Sequence, residues 1–241
     1  MSECISVGDF DVQVVKKDIK NIHLSVNPPT GMVRVSAPLS ADTETIKAFA
    51  LTKLDWIKRH HEKLSTQARE SQRELINGES LFVWGKRYLV NLEVRANGEQ
   101  VKLMGKKLLL RVSKDDDRIK REMNLDRWCR EELRRQANHF ISDWQDKLGV
   151  TVNRLFIQRM KRKWGSCNPT SKSIRLNTEL IHKPKEATEF VVVHELAHLI
   201  EPKHSAEFYQ LMDDLMPTWR STRQKLNEAP LSYVTWASLR G

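Results

Sequence analysis

The chain has 241 residues, enough for one elaborate domain or two small ones, and a formal charge of +10 from 41 Lys and Arg against 31 Asp and Glu. No apolar run approaches the about 20 residues of a membrane-spanning helix, and three unpatterned cysteines, Cys4, Cys129 and Cys167, exclude a disulfide framework and a second, thiolate zinc site. The N-terminus lacks the basic start, apolar stretch and small-residue cleavage site of a signal peptide, so a cytoplasmic protein with reduced thiols is expected.

Residues 11–36 read as a β-meander, with Val12 and Val14 alternating, then Ile22, Leu24 and Val26, a turn at 27–31, and Val33 and Val35. Pro38 ends that pattern. Ser40 or Asp42 can cap a helix with the apolar stripe Ile46, Phe49, Ala50, Leu54, Ile57 and Leu64. Trp56, His60 and His61 lie on it; adjacent histidines on a helix diverge, so they are read as solvated surface. Residues 65–74 look like a linker or a frayed helix end, and no internal repeat is evident.

Residues 79–112 carry a second set of strands, punctuated by Gly85 and by the hairpin signal Asn97-Gly98. Asp115, Asp116 and Asp117 then open a long helix, striped by Leu125, Trp128, Cys129, Leu133, Ala137, Phe140, Ile141, Trp144 and Leu148 and stopped by Gly149. Its Arg127, Arg130, Arg134 and Arg135 share the helix with Glu131 and Glu132, so a solvated face outweighs a nucleic-acid surface there. A strand from Val152 to Ile157 leads into 160–167, MKRKWGSC, and a turn at 168–171 precedes a strand with Ile174 and Leu176. That hairpin stands before the chemical centre of the chain and offers a strand edge for an extended peptide. Lys161, Arg162, Lys163 and Trp164 are its candidate substrate contacts. Cys167 is read as a small packed residue rather than a ligand or a switch, and Trp164 as core before stacking platform.

The centre is His194, Glu195 and His198, an H-E-x-x-H motif, with His204 six positions further on. Residues four apart share a helix face, so two imidazoles converge on one ion. The surrounding Ala187, Phe190, Val191 and Ala197 make the helix apolar and buried, where unpartnered histidines need a metal or another partner. Pro202 should end the helix at Glu201, letting the chain turn and return His204, with Ser205 capping the next helix and Glu207 in its first turn. Three imidazoles at about 2.0–2.1 Å leave zinc one open position for water, the catalytic rather than the structural arrangement. Glu195 can take the proton of that water. Glu201 and Glu207 are the fallback ligands.

The succession KRKWGSCNPTSKSIRLNTELIHKP, then FVVVHELAHLIEPKHSAEFYQLM, resembles the YgjP-like family of predicted metal-dependent hydrolases, relatives of the SprT-like and WLM zinc peptidases. The 22–38 hairpin, the DWI at 55–57 and the WGK at 84–86 extend the resemblance over most of the chain. It implies an α+β fold: a zincin-like metallopeptidase domain built on the HExxH helix, with a β-rich N-terminal portion. His194, His198 and His204 fall on the family's zinc histidines and Glu195 on its glutamate. Metzincins share the spacing of the third histidine, but Glu201 stands where they place a glycine. An aromatic follows the Phe208 position in the family, tyrosine or tryptophan, so the Tyr209 hydroxyl is not assigned as a donor.

The expectation is therefore a β-rich portion over 1–113 with one helix, and a catalytic domain over 114–241 that uses Zn2+ to hydrolyse protein or peptide substrates. The same site serves two other readings, a zinc amidase acting on a non-peptide bond and a nucleic-acid-binding or adaptor protein with a structural zinc. The positive charge admits DNA or nucleoprotein as a partner. No membrane is expected, and oligomeric state is not legible.

Overall fold

A computed structural model describes residues 2–27, 31–66, 73–95, 100–160 and 163–229. The chain divides into two compact units, one within 1–71 and one within 72–229. That division differs from the expected boundary after residue 113, because the 80–112 strands bury Leu81, Val83, Val90, Leu108 and Leu110 in one apolar cluster with the helices that follow them. Most of the expected linker, 65–74, lies outside the described residues.

The first unit starts one strand earlier than the alternation at Val12 suggested. Strands β1 (Ser2–Val7), β2 (Phe10–Lys17), β3 (His23–Asn27) and β4 (Met32–Pro38) form a sheet in the order β1-β2-β4-β3. It is not a meander: β2 pairs with β4 in parallel, Val12 opposite Val33 and Val14 opposite Val35, while β1 and β3 pair antiparallel on either side. The inward residues Val12, Val14, Val33, Val35 and Ala37 are covered by Ile46, Ala50 and Ile57. Those three come from two helices instead of the expected one, α1 (Thr43–Thr52) and α2 (Leu54–Thr66), which break at Lys53. Asp42 caps α1, accepting from the Thr45 N–H at 2.6 Å.

The second unit begins with β5 (Ser80–Val83), β6 (Lys86–Val94), β7 (Gln100–Met104) and β8 (Lys107–Val112), ordered β5-β6-β8-β7. Trp84 and Gly85 join β5 to β6 with both φ angles positive, 52° and 72°, the two-residue turn that suits a twisted hairpin. The expected Asn97-Gly98 turn lies outside the described residues. Helix α3 (Arg118–Leu148) is capped by Asp117 at its start and by Gly149, left-handed at φ 65°, at its end. Its stripe Leu125, Cys129, Leu133, Ala137 and Ile141 is buried. Many of its cations are held in ion pairs: Arg121 to Asp116, Arg130 to Asp126 and Arg135 to Glu132.

A three-stranded sheet follows, β9 (Arg154–Gln158), β10 (Gly165–Asn168) and β11 (Ser173–Asn177), in the order β10-β11-β9, so β10 is an edge. A short 3-10 turn, Thr178–His182, leads into α4 (Lys185–Ala197), and α5 (Ala206–Leu215) and α6 (Trp219–Glu228) close the unit. Helix α4 is buried nearly all round, through Ala187, Phe190, Val191, Val192, Val193 and Leu196. A helix so enclosed takes its stability from packing, and it is held further by Trp144 Nε1 of α3 donating to Glu189 Oε1 at 2.9 Å. None of the helices described is long and apolar enough to cross a membrane.

Candidate metal centre

Helix α4 carries His194 and Glu195 in its last turn and ends on His198, one turn earlier than the Pro202 rule suggested. The final turn tightens instead: Leu199 and Ile200 donate to Leu196 and Ala197 three residues back, at 2.9 and 3.0 Å. His198 keeps right-handed helical angles as the cap residue, so the i, i+4 relation to His194 survives. The chain then turns through Pro202, and Ser205 caps α5 as expected, its Oγ accepting from the Phe208 N–H at 3.3 Å. His204 is held immediately before that cap.

One ring nitrogen from each of His194, His198 and His204 lies within 4.8 Å of the other two. The Nε2 atoms of His194 and His204 are 3.1 Å apart. Two nitrogens on a tetrahedral ion at about 2.0–2.1 Å stand about 3.3 Å from each other, so the residues fit a metal of zinc's size with little adjustment. The backbone sets the tautomer of His198: its Nδ1 lies 3.1 Å from the Glu201 carbonyl, which can only accept, so Nδ1 carries the proton and Nε2 keeps its lone pair for an ion. Burial and the other two histidines push His194 down to about 3, so it too presents a neutral, ligating ring. Its Nδ1 is buried without a hydrogen-bond partner. The fallback ligands do not join the cluster. The Glu201 carboxylate accepts from the Lys203 N–H at 3.2 Å, and Glu207 is exposed in the first turn of α5.

Glu195 is 5% exposed, and burial raises its carboxyl to about 8, opposed by the charge of Lys163 and by a hydrogen bond from the Cys167 N–H. The glycine at 165 explains how the strand comes so near. A Cβ there would stand 2.7 Å from Glu195 Oε1 and 2.8 Å from Val191 Cγ1, so only glycine lets β10 lie against α4 at this point. Strand β10 pairs antiparallel with β11, and the Trp164 carbonyl accepts from Asn177 N–H at 2.8 Å. By the alternation of such ladders, the backbone groups of Gly165 and Cys167 face away from β11, and the Cys167 N–H is the one that meets Glu195.

Sequence reasoning missed Gly165, Asn177 and Arg223. Asn177 is buried and bonds both ends of the preceding loop, donating to the carbonyls of Met160 and Lys163 at 2.9 Å each and accepting from the Met160 N–H at 3.3 Å. Lone glycine in a strand pattern is a signal of close approach that could have found Gly165; nothing local marks the other two. Of the four substrate-contact candidates, Lys163 and Trp164 line a cavity of about 510 Å³ over the histidines, and Trp164 also packs against the core. Lys161 and Arg162 lie outside the described residues. Cys167 lines the same cavity, and burial and the Glu195 charge push its thiol up to about 11. It has no place in the histidine cluster. Tyr209 reaches the cavity with its ring stacked 5.9 Å from Trp219.

With one divalent ion among the histidines, such a site holds what amide hydrolysis requires, and the class it defines is the metallopeptidases, metal-dependent hydrolases of protein or peptide bonds. The chain belongs to the YgjP-like family: the family model described as YgjP-like, metallopeptidase domain, matches residues 20–229. Among curated proteins none matches the sequence. Solved structures similar to parts of it include the metallopeptidase zymogen of Pyrococcus abyssi abylysin, 19% identical with a TM-score of 0.35, covering 37% of this chain and 90% of that one. The metallopeptidase zymogen of Methanocaldococcus jannaschii jannalysin is 19% identical with a TM-score of 0.33, covering 39% and 86%. Those scores fall below the level of a shared whole fold, and it is the family match that carries the class.

Proposed function

We propose that this metallopeptidase is zinc-dependent, with His194, His198 and His204 as ligands and Glu195 as general base. The observation that supports it most is the meeting of three imidazole nitrogens within 4.8 Å beside a buried carboxyl of the same helix. An all-imidazole set suits zinc, whereas calcium and magnesium take oxygen donors. Once bound, the ion supplies Lewis acidity toward a substrate carbonyl and toward water.

The protein's own groups do the rest. Glu195, beside the Cys167 N–H, has a proton affinity raised to about 8 by burial. A carboxyl poised there takes a proton from the attacking water and returns it to the leaving amine. The outward backbone groups of Gly165 and the carbonyl of Cys167 have no partner strand among the described residues, so an extended peptide can pair along β10 with its scissile bond over the histidines. Asn177 keeps the loop before β10 in place.

The Glu195→Gln variant tests this assignment, since it keeps size and helix propensity but cannot accept the proton. Its hydrolysis of an unfolded protein should fall by about 10²-fold or more while zinc content, read by elemental analysis, stays at the wild-type level. Undiminished turnover would remove Glu195 from the reaction.

A further inference from the structure

Two cations line the cavity that the proposed reaction does not use, Lys163 ahead of β10 and Arg223 on α6. Trp219, Arg223 and Leu226 fall at i, i+4 and i+7, one face of that helix. Trp219 and Leu226 are buried in the main cluster, so the face that carries Arg223 is the one turned toward α4. The helix is well fixed at this end: Trp219 stacks 6.3 Å from Phe190 at 8°, and its Nε1 donates to Asp213 Oδ1 at 2.7 Å. Arg223 lines the same cavity as His194, His198 and His204.

Several other arginines here are paired with an acid. Arg121, Arg130 and Arg135 have theirs, and Arg220, one turn before Arg223, is paired with Asp213. Arg223 has no carboxylate partner among the described residues. Among the described residues Glu195 is the one acid that lines the cavity, and it is buried beneath the strand edge. A cavity with two basic walls and its single carboxyl already committed is short of an anion.

We infer that Arg223, with Lys163 lining the same cavity, binds a carboxylate of the substrate close to the scissile bond, so that this metallopeptidase selects acidic peptides. The inference rests on the peptidase reading above and adds the substrate class to it. A guanidinium suits the task because its planar donor fork matches a carboxylate in two parallel hydrogen bonds. That carboxylate belongs either to an Asp or Glu side chain or to the free C-terminus of a short peptide; the chemistry is the same, and the test separates them.

Matched peptides are compared that differ by Glu against Gln at single positions around the cleaved bond, each made with a C-terminal carboxylate and with a C-terminal amide. Wild type should show kcat/KM about tenfold or more higher for the carboxylate-bearing member of at least one pair, the scale of a charge-assisted contact. Arg223→Gln should bring that ratio close to one, Arg223→Lys should keep part of it, and Arg223→Glu should turn the preference toward Lys-containing peptides. A ratio that follows the side chain identifies an acidic-residue subsite, and one that follows the terminus a carboxypeptidase-like subsite. Fluorescence anisotropy of the same peptides on Glu195→Gln protein reads the preference without turnover, and a thermal melt confirms that each Arg223 variant is folded. A wild-type ratio of one throughout, or a ratio that survives Arg223→Gln, overturns the inference. Charge-selective, Arg223-dependent binding without cleavage of any peptide would leave the subsite standing and count against the hydrolytic reading alone.

Discussion

The sheet β1-β2-β4-β3 and the sheet β5-β6-β8-β7 repeat one plan, although no repeat is visible in the residues. Each is an antiparallel hairpin, a parallel central pair and a second antiparallel hairpin, and each has a glycine at positive φ in both hairpin turns, Gly8 and Gly31 in one, Gly85 and Gly105 in the other. What differs is the neighbour of the first turn. At Gly8 the nearest atoms are the flexible end of Leu54 on α2, whereas at Gly85 they are the ring and backbone of Pro184, the residue from which α4 starts. Around Gly85 the contact is reinforced, with Trp84 N–H donating to the Ile181 carbonyl and His182 Nδ1–H to the Phe82 carbonyl, both at 2.7 Å. The same topology therefore closes a small core in one unit and fixes the start of the site helix in the other. Function follows what the turn is packed on, not the sheet.

Equivalent substitutions in the two turns should separate these roles. A β-branched residue is strained at positive φ in both, and Gly85→Val also collides with backbone that cannot move aside, so it should cost about 2–4 kcal/mol and weaken zinc binding. Gly8→Val should lower the melting temperature less and leave zinc content unchanged. Chemical denaturation with elemental analysis checks both, and a zinc loss as large in Gly8→Val would break the distinction.

A smaller contrast lies in polar groups. Asn177→Ala strips donors from two carbonyls that fix the loop before β10 and should cost about 1–3 kcal/mol, with peptide kcat/KM falling about tenfold as the strand edge shifts. Ser25→Ala in the first sheet removes one bond to the Arg34 carbonyl, should cost about 0.5–1 kcal/mol, and should not touch turnover. Equal kinetic effects would mean that Asn177 acts through general stability only.

The mildest contrast is between thiols. Cys4 on β1 is exposed, while Cys167 on β10 is half-buried with its thiol pushed up to about 11. In metal-free protein at neutral pH iodoacetamide should therefore modify Cys4 readily and Cys167 slowly, the Cys167 rate climbing as pH rises toward that value because the thiolate is the nucleophile. Mass spectrometry of tryptic peptides over a pH series reads this directly, and fast neutral-pH labelling of Cys167 would contradict the burial argument.

Local chemistry was legible in the sequence and long-range pairing was not. The stop at Gly149, the cap at Ser205 and the facing of His194 and His198 depend on residues within a turn of each other and are found as read, while the structure picks Asp42 over Ser40 as one cap and Asp117 from the acidic triplet as another. The parallel pairing of β2 with β4 is invisible to alternation, which reports which face is buried and not which strand lies alongside. Arg223 had no signal because its role depends on how α6 packs on α4, and the boundary after 113 failed because strands and helices that share a core need not share a pattern.

The central claim is that the three histidines hold one zinc, and elemental analysis of purified protein tests it most directly. Wild type should contain about one zinc per chain, His204→Ala should bind it more weakly, and the double variant His194→Ala, His198→Ala should be folded by circular dichroism yet hold none. Full zinc occupancy in that folded double variant would contradict the account.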